Sequence, residues 1–186
     1  RADFEAWLAS VDPETVIVLD ETGIVRGMRL GYGYAPRGER VCDTAPVGRG
    51  KRLNILGWLR LAGEACLAHW TGPVTRRVFA HFVERYLLPG LKKGDTVVWD
   101  NASFHRDDRL LAKLKRRGVK VKRLPRYSPE YNPIELMWQK LKHYLKKMRI
   151  DEFGKLESGV EKALDQIKVS DVRGWFAKCG FNVSTD

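Results

Sequence analysis

The sequence predicts an α/β domain in which a mixed sheet is flanked by helices, and three observations carry that prediction. Two apolar runs of strand length, TVIVL at 15–19 and TVVW at 96–99, are continuous rather than alternating, so they read as central strands buried on both faces. The segments 52–61 and 119–124 alternate as half-exposed strands do. Between and after them, apolar residues recur at i, i+3, i+4 and i+7, the spacing of one helix face.

In chain order, residues 3–10 read as a short lead-in helix and Asp12-Pro13 punctuates it. The strand at 15–19 follows, and Asp20-Glu21-Thr22-Gly23 is expected to turn the chain into a second strand over 24–34. Residues 36–40 are a loop, and the Gly- and Pro-rich stretch 41–51 a mobile one. The strand at 52–61 is expected to form a hairpin with 65–70 across Ala62-Gly63-Glu64. Thr75 caps a helix whose inner stripe is Val78, Phe79, Phe82, Val83, Tyr86 and Leu87, ended by Pro89-Gly90. After the strand at 96–99 comes a helix over about 106–117, closed by Gly118 as C-cap, and the strand at 119–124. Asn132 as N-cap and Pro133 at the first helical position open a helix with inner stripe Met137, Leu141, Tyr144, Leu145 and Met148. Helices over 155–168 and 170–178 complete a single domain spanning 1–186, with no internal repeat.

Composition narrows the function. Six Trp and 44% hydrophobic residues exclude a disordered chain. Three widely spaced cysteines, Cys42, Cys66 and Cys179, with no CxxC pair, indicate a reducing cytoplasm and small buried thiols rather than a disulfide frame or zinc site. No apolar run approaches the length of a membrane span, and there is no signal peptide. The net charge of +11 with a pI near 9.7 points to a polyanionic partner, DNA or RNA.

Three acidic residues stand out: Asp20 ends VIVLD, Asp100 ends TVVWD, and Glu135 lies in NPIE, with thirty-four residues between the last two. Each alone has a plainer reading. Asp20 fits a turn, Asp100 a strand-end turn or helix cap, and Glu135 the acidic position of a capping box begun by Asn132. Together they say more. Strand ends gather at one edge of an open sheet, where ligands bind, and a helix can bring Glu135 over that edge. Oxygen ligands without a Cys or His cluster suit Mg2+ or Mn2+. Two such ions roughly 3.5–4 Å apart serve in-line phosphoryl transfer.

The segments VLDETG, YGYAPRGER, VVWDNASFH and LPRYSPEYNPIELMWQKLK closely resemble the catalytic domain of mariner-type DDE transposases, nearest to the bacterial insertion-sequence branch. The tail VRGWFAKCGF resembles the C-terminal ending of that family, so the likeness covers nearly the whole chain. The resemblance implies a ribonuclease-H-like fold, with Asp20, Asp100 and Glu135 holding two metal ions. It implies cleavage of transposon-end phosphodiesters and joining of the freed 3′-hydroxyls to target DNA at TA dinucleotides. A synaptic homodimer is implied too, in a cytoplasmic protein associated with the bacterial nucleoid when bound to DNA. Asn101 and His105 match the family block and would support the metal site or contact DNA; helix capping and a surface His are the plain alternatives. One departure is Tyr34, where the family usually has Trp ahead of Pro36-Arg37-Gly38. The family's N-terminal helix-turn-helix is expected to be absent from this chain, which opens at Arg1.

From Arg109 to Pro129 there is no acidic residue. Lys113, Lys115, Arg116, Arg117, Lys120, Lys122, Arg123 and Arg126 lie in this stretch, and Lys140 and Lys142 follow Glu135. They form either a solvated face or a track of phosphate contacts, which give affinity and salt dependence without reading sequence. Tyr127 and Tyr131 either stack on an unpaired base or pack the loop, and Trp138 is expected to prop its helix. Two other functions fit the same residues: a ribonuclease-H-like nuclease without strand transfer, and a domesticated, inactive DNA-binding module.

Overall fold

A computed structural model describes residues 1–48 and 50–184. Position 49 of the 41–51 loop and the final two residues of the expected domain lie outside the described residues. Five strands, β1 (Val16–Val25), β2 (Arg52–Arg60), β3 (Ala65–Thr71), β4 (Thr96–Trp99) and β5 (Lys120–Arg123), form one sheet in the order β3-β2-β1-β4-β5. The first three pair antiparallel, while β4 and β5 run parallel to β1.

The helices are α1 (Ala2–Ser10), α2 (Arg76–Phe82), α3 (Asp108–Arg116), α4 (Pro133–Met148), α5 (Leu156–Leu164) and α6 (Val169–Lys178). They cover the sheet on both sides. Val16, Val18 and Ile24 of β1 pack with α1, α4, α5 and α6, while Ile17 and Leu19 pack with α2 and α3. That two-sided burial is why the 15–19 and 96–99 runs are continuously apolar. The C-terminal tail belongs to the first layer: Phe176 and Phe181 are buried, their ring centroids 5.0 Å apart.

Two expectations about the first strands fail together. Asp20–Gly23 is not a turn, because each of its residues pairs with β2, Asp20 opposite Gly57 and Gly23 opposite Asn54. Cross-strand pairing overrides the local turn preference of Asp, Thr and Gly. The strand expected at 24–34 is therefore the end of β1, and the chain from Arg26 to Lys51 holds no strand among its described residues. Gly27, at φ 71°, turns this segment away, and its N–H bonds the Ile150 carbonyl at 2.8 Å. Arg29 ties it further to Asp43 at 3.6 Å and Asp151 at 2.7 Å.

Elsewhere the boundaries shift by a few residues. Thr75 caps α2 through the Val78 N–H as expected, but the helix widens into a π turn over Val83–Leu87 before Pro89. Asp107 caps α3, accepting from the N–H groups of Arg109 and Leu110. Gly118 takes φ 73° where α3 turns into β5. Of the cysteines only Cys179 is a buried thiol, its pKa pushed up to about 12 by burial; Cys66 is half-buried and Cys42 exposed. No helix among the described residues is long and apolar enough to cross a membrane.

Candidate active site

Strand register sets the first two carboxylates side by side. Val16, Ile17 and Val18 pair with Thr96, Val97 and Val98 on the parallel strand β4. Two residues further along each chain, the same offset reaches Asp20 and Asp100, on strands roughly 4.8 Å apart. β4 ends at Trp99 while β1 runs on to Val25, so the sheet opens at this edge. Glu135 comes over it from the first turn of α4. Asp20, Asp100, Asn101 and Glu135 line one cavity of about 400 Å³, walled on one side by the loop from Leu124 to Pro129.

Each carboxylate is held differently. Asp20 is 8% exposed and accepts the Trp138 indole N–H on Oδ2 at 3.0 Å. Burial, then the charges of Glu135 and Glu21, push its carboxyl well above the usual carboxylate range. Burial also pushes Glu135 up, with Lys142 opposing and Asp100 adding to the rise. For Asp100 burial acts upward but loses to the His105 hydrogen bond, the Ala102 N–H and the positive charges of His105 and Arg123, so its carboxyl is lowered. The His105 ring and the Ala102 N–H both meet Oδ1, at 2.7 and 2.8 Å. Neither bond uses Oδ2.

The expected supporting residues are close by. His105 is buried at 1% exposure, not a surface His, with its ring 4.2 Å from the Phe79 ring, centroid to centroid. Asn101 caps no helix; its side-chain amide donates to the Leu124 carbonyl at 2.6 Å, joining the end of β4 to the end of β5. Asn132 is the N-cap residue, but the capping box that was the plainer reading of Glu135 does not form. The Asn132 N–H already donates to the Pro129 carbonyl at 3.0 Å, and its Oδ1 is buried without a partner, so Glu135 is free of capping duty. Trp138 props its helix, as expected, and also bonds Asp20.

Sequence reasoning missed Glu21. One residue past Asp20 on a strand, it points to the opposite face. Its carboxyl is raised chiefly by burial, with His105 opposing and Asp100 adding, and its Oε2 is buried without a partner. Strand parity was the available signal, hidden by reading this tetrapeptide as a turn. The Arg52 guanidinium lies over Gly23, where an added Cβ would collide with it unless the arginine moved.

Folding divides the basic stretch. Arg126 is exposed and lines the cavity, while Arg123 donates to the His105 carbonyl and its charge helps to lower the Asp100 carboxyl. Lys142 is half-buried beside Glu135, its pKa lowered by burial and by Arg52 against the pull of Glu135 and Asp20. Lys115, Arg116, Arg117 and Lys120 gather where α3 meets the start of β5, beside Gly94 and Asp95. The four residues of β4 separate that end from Asp100, about 13 Å at strand rise. Lys113 pairs with Glu84, Lys140 with Asp171, and Lys122 sits 5.3 Å from the Trp7 ring centroid. Tyr131 packs, its ring 5.4 Å from that of Phe4, whereas Tyr127 is 94% exposed and does not.

Among the described residues no three His, Cys, Asp or Glu side chains stand close enough to hold one ion together. The donor chemistry nonetheless suits a hard divalent cation. The groups are all carboxylates and share a cavity, and Glu135 adds to the rise of Asp20 as Asp100 adds to that of Glu135, a repulsion that positive charge relieves.

A family model described as DDE superfamily endonuclease matches residues 15–157, most of the chain, and the protein belongs to that family. Within it, the similarity is to mariner-type transposases. The transposable element Tcb1 transposase of Caenorhabditis briggsae is 26% identical over 148 residues, 77% of this chain and 53% of that protein. The chain thus spans about half the length of that relative. Among solved structures, the Mos1 mariner paired end complex with Mn aligns at a TM-score of 0.70 and 18% identity, covering 92% of this chain and 54% of that one. The catalytic domain of Mos1 mariner transposase aligns at 0.64 and 13%, covering 97% and 81%. This likeness establishes the ribonuclease-H-like fold.

Proposed function

We propose that residues 1–186 form the catalytic domain of a DNA transposase that cleaves transposon-end phosphodiesters and joins the 3′-hydroxyl ends to target DNA. The observation that carries the reading is the convergence of Asp20, Asp100 and Glu135, from two adjacent parallel strands and a helix start, on one cavity at the open sheet edge. Family membership, the +11 charge and the likeness to Mos1, solved as paired-end complexes with Mg and with Mn, support it.

In this reading Asp20, Asp100 and Glu135 hold two Mg2+ or Mn2+ ions. Such a pair stabilises charge on the attacking and leaving oxygens of an in-line displacement. Trp138 fixes Asp20, and His105 with the Ala102 N–H fixes Asp100 in its ionised form. Asn101 braces the loop that walls the cavity. Arg123, Arg126 and Lys142 would meet the phosphates beside the scissile bond, and the outlying lysines and arginines the DNA further along. The partners are transposon ends and target DNA, engaged by a homodimer in the synaptic complex. The bacterial insertion-sequence branch, and cytoplasmic residence with the nucleoid, rest on the resemblance in LPRYSPEYNPIE and the C-terminal tail.

The test is incubation with pre-cut ends, target DNA and Mg2+. Joined products that vanish in Asp100→Asn, with DNA affinity retained, are expected. Hydrolysis without joining would favour the plain nuclease, and DNA binding without either reaction the inactive module.

A further inference from the structure

We propose that Tyr127 is a stacking platform for an unpaired nucleobase of DNA bound at the carboxylate cavity, an inference resting on the DNA-processing reading above. The ring is 94% exposed, yet the residue lines the same cavity as Asp20, Asp100 and Glu135. Its backbone sits at φ 54°, a left-handed conformation rarely adopted by residues other than glycine. Hydrogen bonds brace that conformation. Arg1 Nη2 donates to the Tyr127 carbonyl at 3.1 Å, and Arg1 Nε donates to Ser128 Oγ at 3.2 Å. Ser128 is itself buried at 3% and donates to the Arg126 carbonyl at 3.2 Å. Pro125 and Pro129 stiffen the loop on either side.

A buried serine thus anchors a strained tyrosine whose ring packs on nothing. Strain of this kind persists where the surroundings enforce it and gathers at ligand sites. The contrast with Tyr131, four residues on and packed against Phe4, shows that the loop has an aromatic for its own core and a second one left over. The ligand follows from chemistry. A free aromatic face with Arg126 next to it in an acid-free stretch suits a base whose phosphate the arginine can meet. Bases inside a duplex have no free face, so the base taken up is an unpaired one, at a strand end or a displaced nucleotide.

The experiment measures affinity in EDTA for two probes: a duplex ending in a three-nucleotide single strand that carries 2-aminopurine, and the matching blunt duplex. Wild type should quench the 2-aminopurine fluorescence. Tyr127→Ala should lose the quenching and bind the overhang probe about tenfold more weakly, with less than twofold change on the blunt duplex. Tyr127→Phe should behave as wild type, and Tyr127→Gly, which removes the backbone strain, should match Tyr127→Ala. Equal affinity of wild type and Tyr127→Ala for the overhang probe, or equal losses on both probes, would overturn the platform while leaving the DNA reading intact. Failure of wild type to bind either probe would overturn both.

Discussion

Trp138 donates its indole N–H to Oδ2 of Asp20 across 3.0 Å, and both residues are buried. The bond joins α4, which carries Glu135, to the middle of β1. One helix therefore supplies one carboxylate and orients another. Trp138→Phe keeps an aromatic ring but removes the donor, leaving a buried carboxylate short of a partner. It should lower stability by about 1–3 kcal/mol in denaturant titration and reduce cleavage. Unchanged stability together with unchanged cleavage would mean that this bond neither holds the fold nor sets the carboxylate.

Gly57 is the floor on which that tryptophan lies. It pairs with Asp20 across the sheet, and an added Cβ would stand 2.7 Å from Trp138 Cη2 and 2.5 Å from Leu67 Cδ2. Gly57→Ala should therefore destabilise by about 1–3 kcal/mol, the usual penalty of overpacking. It should also disturb the site, because the ring that must move is the one holding Asp20. Thermal unfolding tests the first effect and cleavage at a temperature where the variant stays folded tests the second. A variant as stable as wild type would show that the ring has room to shift.

Much of this was legible in the sequence, for definite reasons. The buried runs at 15–19 and 96–99 announced the central strands, and strand-end placement singled out carboxylates that line one cavity in the structure. What escaped were features set by strand pairing. Asp20-Glu21-Thr22-Gly23 carries every local mark of a turn, and only β2 lying alongside makes it strand. Glu21 was lost with that error. Linear order also made the basic residues look like one track, although α3 runs back along the sheet and carries Lys115, Arg116 and Arg117 away from Asp100.

That division gives a third prediction. Arg123→Ala with Arg126→Ala should flatten the slope of log affinity against log salt by about 2 on duplex DNA, and should slow cleavage at saturating DNA. Lys115→Ala, Arg116→Ala and Arg117→Ala together should flatten the slope by about 2–3 but leave that saturated rate near wild type. A salt slope that the second set does not change would identify the far end of α3 as merely solvated. Loss of saturated rate in the second set would mean that the scissile phosphate lies nearer that end than Asp100 does.

Without metal, the stability of the protein should depend on pH through the carboxylates of the candidate site. Asp20, Glu21 and Glu135 all have carboxyls raised above their ordinary values of 3.8, 4.5 and 4.5. A raised folded-state value means that the native protein holds these protons more tightly than the unfolded chain does. The metal-free fold therefore loses stability as pH climbs from those ordinary values through the raised ones. Asp100 acts oppositely, its stabilisation being present above its ordinary 3.8 and lost as pH falls through its lowered value. The Asp100 contribution is gained mainly below its ordinary value, so from about pH 4 upward the raised groups set the trend, which should be destabilising at this site. Asp20→Asn removes the most buried of these charges while keeping an oxygen for the Trp138 donor. At pH 7 in EDTA it should raise the melting temperature by about 2–4 °C for each kcal/mol gained and flatten the dependence on pH. Mg2+ should stabilise wild type, since a ligand that binds only the folded state shifts its melting upward, and should do so much less in the variant. A variant that melts below wild type at pH 7 would show that the Asp20 charge is already compensated within the protein. Equal stabilisation of both proteins by Mg2+ would remove Asp20 from the set of metal ligands.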